Sequence, residues 1–426
     1  MGDVTTGKYC AHENRRWTCY DCNDGNCRII RGRNKCPQFR RVPGDYPVPR
    51  ASSADAVEIA GLPTRTLSWM GIRYYHEQPI CTIAGCFNLE RCSDTVLKVY
   101  VDHEGEHALL DYAAEHSKPI PVQRVHSAND ACLIVVLSNT YSSVHDMKSS
   151  GHWNDGENHL LWDFSNFPYR KIAPDAPFNM FHVGKAIIAS ETIGTAYARL
   201  GYDLVLPLPR RWGRALAPND VDIHRPRKYL LSFRGRVIDS IAAAYQHRWL
   251  AAEHWEVADD IVVDVECWHF DWLVDKKSLI KPYERSPGMF DDMMWNSTFG
   301  FTPGGSGMSS YRFGEVLSTG GIPVVVHGDF VPPLAPELDW SKCIVWVSEQ
   351  RIIDLPHILR QIPPEEVHAR QTACWKLHSA VFGEKEVDGK WYNDEGVVFT
   401  KGLQIIAQRV SSAAQMSKIV NDFADT

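Results

Sequence analysis

This 426-residue sequence predicts an α/β protein built from two similar halves, and three observations lead there. Short β-branched apolar runs recur from residue 97 onward, helix-like stretches separate them, and a Pro- and Arg-rich segment without periodicity divides them into halves of comparable size. Near-continuous apolar runs suit parallel strands covered on both faces, and the intervening helices supply the cover. The length also exceeds what a single core ordinarily organises.

Residues 1–95 read as a cysteine-rich, irregular extension. Eight of the twelve cysteines lie there, Cys10, Cys19, Cys22, Cys27, Cys36, Cys81, Cys86 and Cys92, and Pro43, Pro47 and Pro49 read as an extended tether. Cys19 and Cys22 form one CxxC, without the second CxxC or the HxxxH that a zinc site needs. Disulfides in an oxidising compartment are the favoured reading, with zinc and free thiols as alternatives.

Residues 96–215 form the first half, with strands expected at "LKVYV" (97–101), "CLIVVL" (132–137) and "DLVLPL" (203–208) and a helix near 185–200. The boundary falls in "LPRRWGRALAPNDVDIHRPRK" (208–228). Residues 216–400 form the second half, with strands at "KYLLSF" (228–233), "DIVVDV" (260–265), "IPVVV" (322–326) and "CIVWV" (343–347). Helices are expected there near 236–248, 312–319, 351–361 and 364–383, and residues 401–426 are expected to return to the first half as a helix.

Lys and Arg total 45 against 52 Asp and Glu, a net charge of −7. That excludes bulk attraction to nucleic acid or an anionic membrane. No stretch approaches the roughly 18 uninterrupted apolar residues of a membrane span, and residues 1–50 lack a signal-peptide core. The chain reads as soluble, with any membrane anchor lying outside it. Asn296-Ser297-Thr298 is an N-x-S/T sequon, which makes Asn296 a glycosylation candidate in a secretory lumen.

The richest stretch is "GGSGMSSYRFGEVLSTGGIPVVV" (304–326). Ser309 or Ser310 can cap a helix starting near Tyr311, and Gly320-Gly321 can end it before a strand. A helix start after a glycine-rich loop offers N–H groups and a positive dipole end to phosphate. Arg312 and Glu315 share one helical face. A guanidinium there can hold a diphosphate and a carboxylate can accept ribose hydroxyls, while an ordinary surface ion pair explains the same spacing.

Further segments place this stretch in a wider pattern: "YVD" (100–102), "ACLIVVL" (131–137) with "HWNDGENHLLWDF" (152–164), "GYDLVLPLP" (201–209) with "RKYLLSFRGR" (227–236), "YERSPGMFDDMMWNSTFGFTPGG" running into it, and "LAPELDWSKCIVWVSEQRIIDLPHILRQI" after it. In order and spacing they resemble the exostosin-type glycosyltransferase family. The resemblance implies a GT-B architecture, two Rossmann-like domains facing across a cleft. It implies inverting transfer from a UDP-sugar to a glycan or polysaccharide acceptor, with no metal or other cofactor. Golgi residence follows, as does a homo- or hetero-oligomer with a related transferase.

By matching position the resemblance puts Arg312 and Glu315 on diphosphate and ribose, Ser310 beneath the phosphates with Ser309 beside it, and Arg234 and Arg236 in a basic pair. Hallmark members carry arginines where this chain has Gly304-Gly305-Ser306-Gly307, and a basic residue where Val237 stands. Charge for a uronate donor is reduced, which leaves open a neutral sugar or a non-catalytic subunit assisting an active partner. The acceptor's proton needs a base: His159, after the turn-forming Asn154-Asp155-Gly156, and Asp102, at a strand end, are the candidates. His327, directly after the 322–326 strand, is expected to contact the donor sugar.

Overall fold

The structure is a computed structural model that describes residues 7–13, 16–23, 26–29, 81–92, 95–102, 108–137, 148–163, 183–191, 198–208, 222–238, 246–255, 258–268, 292–304, 309–326, 330–348, 351–387, 390–393 and 395–424. Strands β1 (Gly7–Glu13), β2 (Arg16–Asn23) and β3 (Asn26–Ile29) form an antiparallel sheet where an irregular extension was expected. Their register sets Cys10 opposite Cys19 and Cys22 opposite Cys27. Aromatic residues and Thr18 in "RWTCYDC" favour the pleated form.

Helix α1 (Ile83–Cys86) is capped by Thr82, whose hydroxyl accepts from the Gly85 amide at 3.1 Å, and is closed by a Cys81–Cys86 disulfide. A Cys92–Cys132 disulfide then ties the approach to β4 (Leu97–Val101) to the start of β6 (Leu133–Leu137). With α2 (Ala108–His116), β5 (Val122–Arg124), β7 (His159–Asp163), β8 (Ile187–Ser190) and β9 (Leu204–Val205) these build the first half. Its sheet is parallel throughout, in the order β5-β4-β6-β7-β8-β9.

The second half contains β10 (Tyr229–Ile238), α3 (Gln246–His254), β11 (Ile261–Trp268), β12 (Ser297–Phe301), α4 (Tyr311–Ser318), β13 (Ile322–Val326), β14 (Val345–Val347), α5 (Leu355–Arg360) and α6 (Pro364–Val381). Its sheet is also parallel, in the order β11-β10-β12-β13-β14. A hairpin, β15 (Glu384–Val387) with β16 (Lys390–Asn393), leads into the long α7 (Glu395–Ala424). α7 lies against α1 and α2 of the first half, with Phe399 edge-on to Trp162 at 4.8 Å. Among the described residues no helix is long and apolar enough to cross a membrane.

Two details depart from the expected elements. Where a helix was expected near 185–200, residues 187–190 form strand β8, because "IIAS" is buried at every position and a strand between two neighbours needs apolar residues on both faces, while residues 192–197 lie outside the described residues. The strand at 228–233 runs on to Ile238 where a helix was expected to start, residues 239–245 lie outside the described residues, and α3 is described over Gln246–His254. In both sheets the second strand in sequence flanks the first on one side and the third flanks it on the other. The reversal falls between β4 and β6, and between β10 and β12, where open α/β sheets bind ligands beyond the strands' carboxyl ends.

Candidate active site

Helix α4 stands where the second sheet reverses. Gly300 of β12 makes its close packing feasible: a Cβ there would run into the Val316 side chain, so the glycine lets the helix lie directly on the strand. Ser310 caps it, its hydroxyl accepting from the Arg312 amide at 3.3 Å. At the far end Gly320, at φ +66°, lets the Gly321 amide turn back to the Val316 carbonyl at 3.0 Å. Arg227 reinforces that end, donating to the carbonyls of Thr319 (2.8 Å), Gly320 (2.9 Å) and Ser297 (2.8 Å). Burial pushes its pKa down to about 9, which leaves it charged at neutral pH and favourable at a helix C-terminus.

Arg312 and Glu315 form an ion pair at 3.1 Å, with the two side chains only 11% and 4% exposed. The pair is therefore buried, not the surface bridge that its spacing also permitted. The Arg312 guanidinium donates to the Arg234 carbonyl and lies 2.8 Å from Met294 Sδ. It thereby fastens α4 to β10 two residues beyond Ser232, its last partner position on β12. Burial lowers its pKa, Glu315 counters that, and the neighbouring Arg234 charge lowers it further. Two guanidinium groups thus stand close together where β12 ends beside β10, and Glu315 balances one of them. Ser309 and Ser310 stand partly buried at the same helix start.

Asp102 follows the last residue of β4, its amide bonded to the Val135 carbonyl at 2.9 Å, at the first sheet's reversal. His159 is placed differently. It opens β7 at the amino end, is 1% exposed and packs at 5.0 Å from the Trp153 ring. Its Nδ1 donates to the Glu157 carbonyl at 2.8 Å, and its buried Nε2 has no hydrogen-bond partner among the described residues. Burial lowers its pKa to about 4, against smaller raising effects from the Glu157 carbonyl and Asp102. The ring is neutral at pH 7 and only weakly basic.

Arg236 pairs in register with Glu266 on β11, but its side chain, like Gly305 and His327, lies outside the described residues. Asn296 sits at the amino end of β12, opposite the edge where α4 begins. Its amide donates to the Asp292 carbonyl at 2.8 Å, and it is partly exposed.

Three residues at these edges escape a reading of the sequence. Asp163 ends β7 and Glu191 follows β8, both 2% exposed, so the first sheet's carboxyl edge carries two buried carboxylates besides Asp102. The signal was the rule that singled out Asp102, a carboxylate closing an apolar run, in "HLLWD" and "IIASE". Arg248 of α3 donates through Nε to the Gly304 carbonyl at 3.1 Å, and no motif marks it.

Two parallel Rossmann-like sheets, with a capped helix and a buried arginine at the carboxyl edge of the second, define the class: an α/β protein of two Rossmann-like units. The chain belongs to the exostosin GT47 family, whose domain matches residues 110–362. It is similar to Exostosin-1 of Drosophila melanogaster, 28% identical over 375 residues, covering 80% of this chain and 47% of that protein. It is similar to an Exostosin-1 homolog of Caenorhabditis elegans, 30% identical over 336 residues, 71% of this chain and 86% of that protein. Exostosin-1c of Danio rerio is 27% identical over 385 residues, 84% of this chain and 49% of that protein. The chain thus spans about half the length of the fly and fish relatives.

Proposed function

We propose that the protein transfers a sugar from a UDP-sugar to a glycan acceptor, with inversion and without a metal ion. The observation that carries this reading is the carboxyl edge of the second sheet, where Arg312 is locked between Glu315 and the Arg234 carbonyl at the start of α4. An acceptor hydroxyl oxygen attacks the anomeric carbon as its bond to the β-phosphate oxygen breaks. The electron pair leaves on UDP, and the hydroxyl proton passes to a carboxylate of the first sheet. Arg234 and Arg236, with the amides at the start of α4, take up the developing diphosphate charge, a role in which one lost contact costs about 10²-fold in rate. Asp102 stands best for the base because it closes a strand at the reversal, whereas His159 lies buried at the opposite end of its own.

Three disulfides among the described residues, Cys81–Cys86, Cys92–Cys132 and Cys343–Cys374, support residence in a secretory lumen, for which we take the Golgi. The test is a donor screen with UDP-glucuronic acid, UDP-galactose, UDP-xylose, UDP-arabinose, UDP-glucose and UDP-N-acetylglucosamine, each with and without EDTA. Turnover of one donor, indifferent to EDTA, is expected. UDP binding without turnover of any donor would favour a subunit that assists an active partner, the reading that the arginine-poor loop leaves open. Loss of turnover in EDTA would overturn metal independence.

A further inference from the structure

Strand β2 carries Cys19 and Cys22, and the sheet gives each a cysteine on a different neighbour: Cys10 of β1 stands opposite Cys19, and Cys27 of β3 opposite Cys22. Antiparallel partners alternate between pairs that exchange both backbone hydrogen bonds and pairs that exchange none, with Cα atoms about 5.5 and 4.5 Å apart. The connections decide which kind each cysteine pair is. Glu13↔Arg16 is the last pair before a two-residue connection, and so is Asn23↔Asn26, across Asp24-Gly25, a dipeptide that strongly favours a two-residue hairpin turn. The two residues of such a connection are chain neighbours and cannot bond one another, so the pair that closes it is a hydrogen-bonded one. Counting back from Glu13↔Arg16, His12↔Trp17 is non-bonded, Ala11↔Thr18 bonded and Cys10↔Cys19 non-bonded. Cys22↔Cys27, next to Asn23↔Asn26, is non-bonded too.

We infer that Cys10 is disulfide-bonded to Cys19 and Cys22 to Cys27, so that β2 is stapled to both of its neighbours. Non-bonded pairs are where opposed positions come nearest, and their Cα spacing falls within the roughly 4.4–6.8 Å that a disulfide spans. Cys92–Cys132 and Cys343–Cys374 bridge a similar distance, 4.7 Å between Cα atoms. The strand also argues against a chelating or redox CxxC. Residues three apart on a strand fall on opposite faces of the sheet, so Cys19 and Cys22 are not placed to share one zinc ion or to close on each other. Each bond forms by thiol–disulfide exchange: two thiols lose two protons and two electrons to a small-molecule or protein disulfide, which is itself reduced to two thiols. The result is a fixed register, since a slip of one residue along β2 would separate both pairs. A sheet confined to Gly7–Ile29 has little core of its own to hold that register.

The test is disulfide mapping of the full chain, expressed by secretion and purified without reductant. Free thiols are alkylated in denaturant, the chain is cut with pepsin in acid, where exchange is suppressed, and linked peptides are sequenced by mass spectrometry. A cut between Tyr20 and Asp21 separates Cys19 from Cys22 and makes the alternative pairings distinguishable. The expected result is Cys10 linked to Cys19 and Cys22 linked to Cys27. Cys10→Ser should then release a single thiol, at Cys19, and leave Cys22–Cys27 intact, whereas Cys22→Ser should release Cys27 alone. A Cys19–Cys22 link, the crossed pairs Cys10–Cys22 and Cys19–Cys27, or a link from any of the four to Cys36 or Cys267 would overturn the inference. So would alkylated thiols at these positions, whether found directly or only after EDTA has removed a metal. If a serine variant does not fold, the wild-type map decides alone.

Discussion

The two parallel sheets share one strand order about their reversal and differ in what they present at the carboxyl edge. The first ends in carboxylates, Asp102 after β4, Asp163 on β7 and Glu191 after β8. The second gathers guanidinium groups where β12 ends beside β10, Arg234 on β10 itself, Arg248 of α3 on the Gly304 carbonyl and Arg312 of α4 on the Arg234 carbonyl and paired with Glu315. A backbone plan used twice thus carries different ionisable groups at the two carboxyl edges. In the proposed reaction the acidic edge accepts a proton and the basic edge stabilises a departing diphosphate, so the chemistry follows from the difference between the halves.

The sharpest way to break that contrast is to neutralise the acidic edge one residue at a time. One of Asp102→Asn, Asp163→Asn and Glu191→Gln, with Asp102 foremost, should lower kcat by about 10²–10⁴-fold while UDP affinity, measured by calorimetry, is kept. If all three kept full turnover, the proton would have to go elsewhere. Next in size is Glu315→Gln, which leaves a buried Arg312 without its carboxylate and should cost about 3–5 kcal/mol in urea unfolding. A cost below about 1 kcal/mol would mean that the pair is solvated and the basic edge is not held by it.

His159 supplies the third effect. Its folded pKa of about 4 lies below the unfolded value of 6.5, so between those values the unfolded chain binds more protons and stability falls as pH drops. The loss should approach about 3 kcal/mol by pH 4 and be absent above pH 7. Melting curves of wild type and His159→Gln across that range should converge on acidification, and parallel curves would contradict the buried neutral ring. The smallest effect belongs to Arg360–Asp260, a bridge at 2.9 Å with side chains 46% and 40% exposed. Arg360→Ala should cost less than about 1 kcal/mol, in contrast to the buried pair on the same half.

What the sequence disclosed depended on whether its signals were local. The strand at 322–326, the Ser310 cap and the Gly320 turn of α4 were readable because each is fixed by neighbours within a few residues. Burial of the Arg312–Glu315 pair was not readable, since a spacing of three serves a surface bridge equally well and only the contact with β10 decides. His159 was assigned to a turn because Asn154-Asp155-Gly156 precedes it. That turn does form, with Asn154 and Asp155 at positive φ, but it closes at Glu157 and the strand begins at His159. Arg248 lay beyond reach because its partner, Gly304, is 56 residues away and no pattern links the two.

The most direct test of the division between the edges is hydrogen exchange of the full chain with and without UDP, read segment by segment. Slowed exchange confined to β10 around Arg234, to Thr302–Gly304 and to the start of α4 at Tyr311–Phe313 is the predicted result. Protection centred instead on Asp163 and Glu191 of the first sheet, or on neither edge, would contradict the assignment of the diphosphate to the basic side.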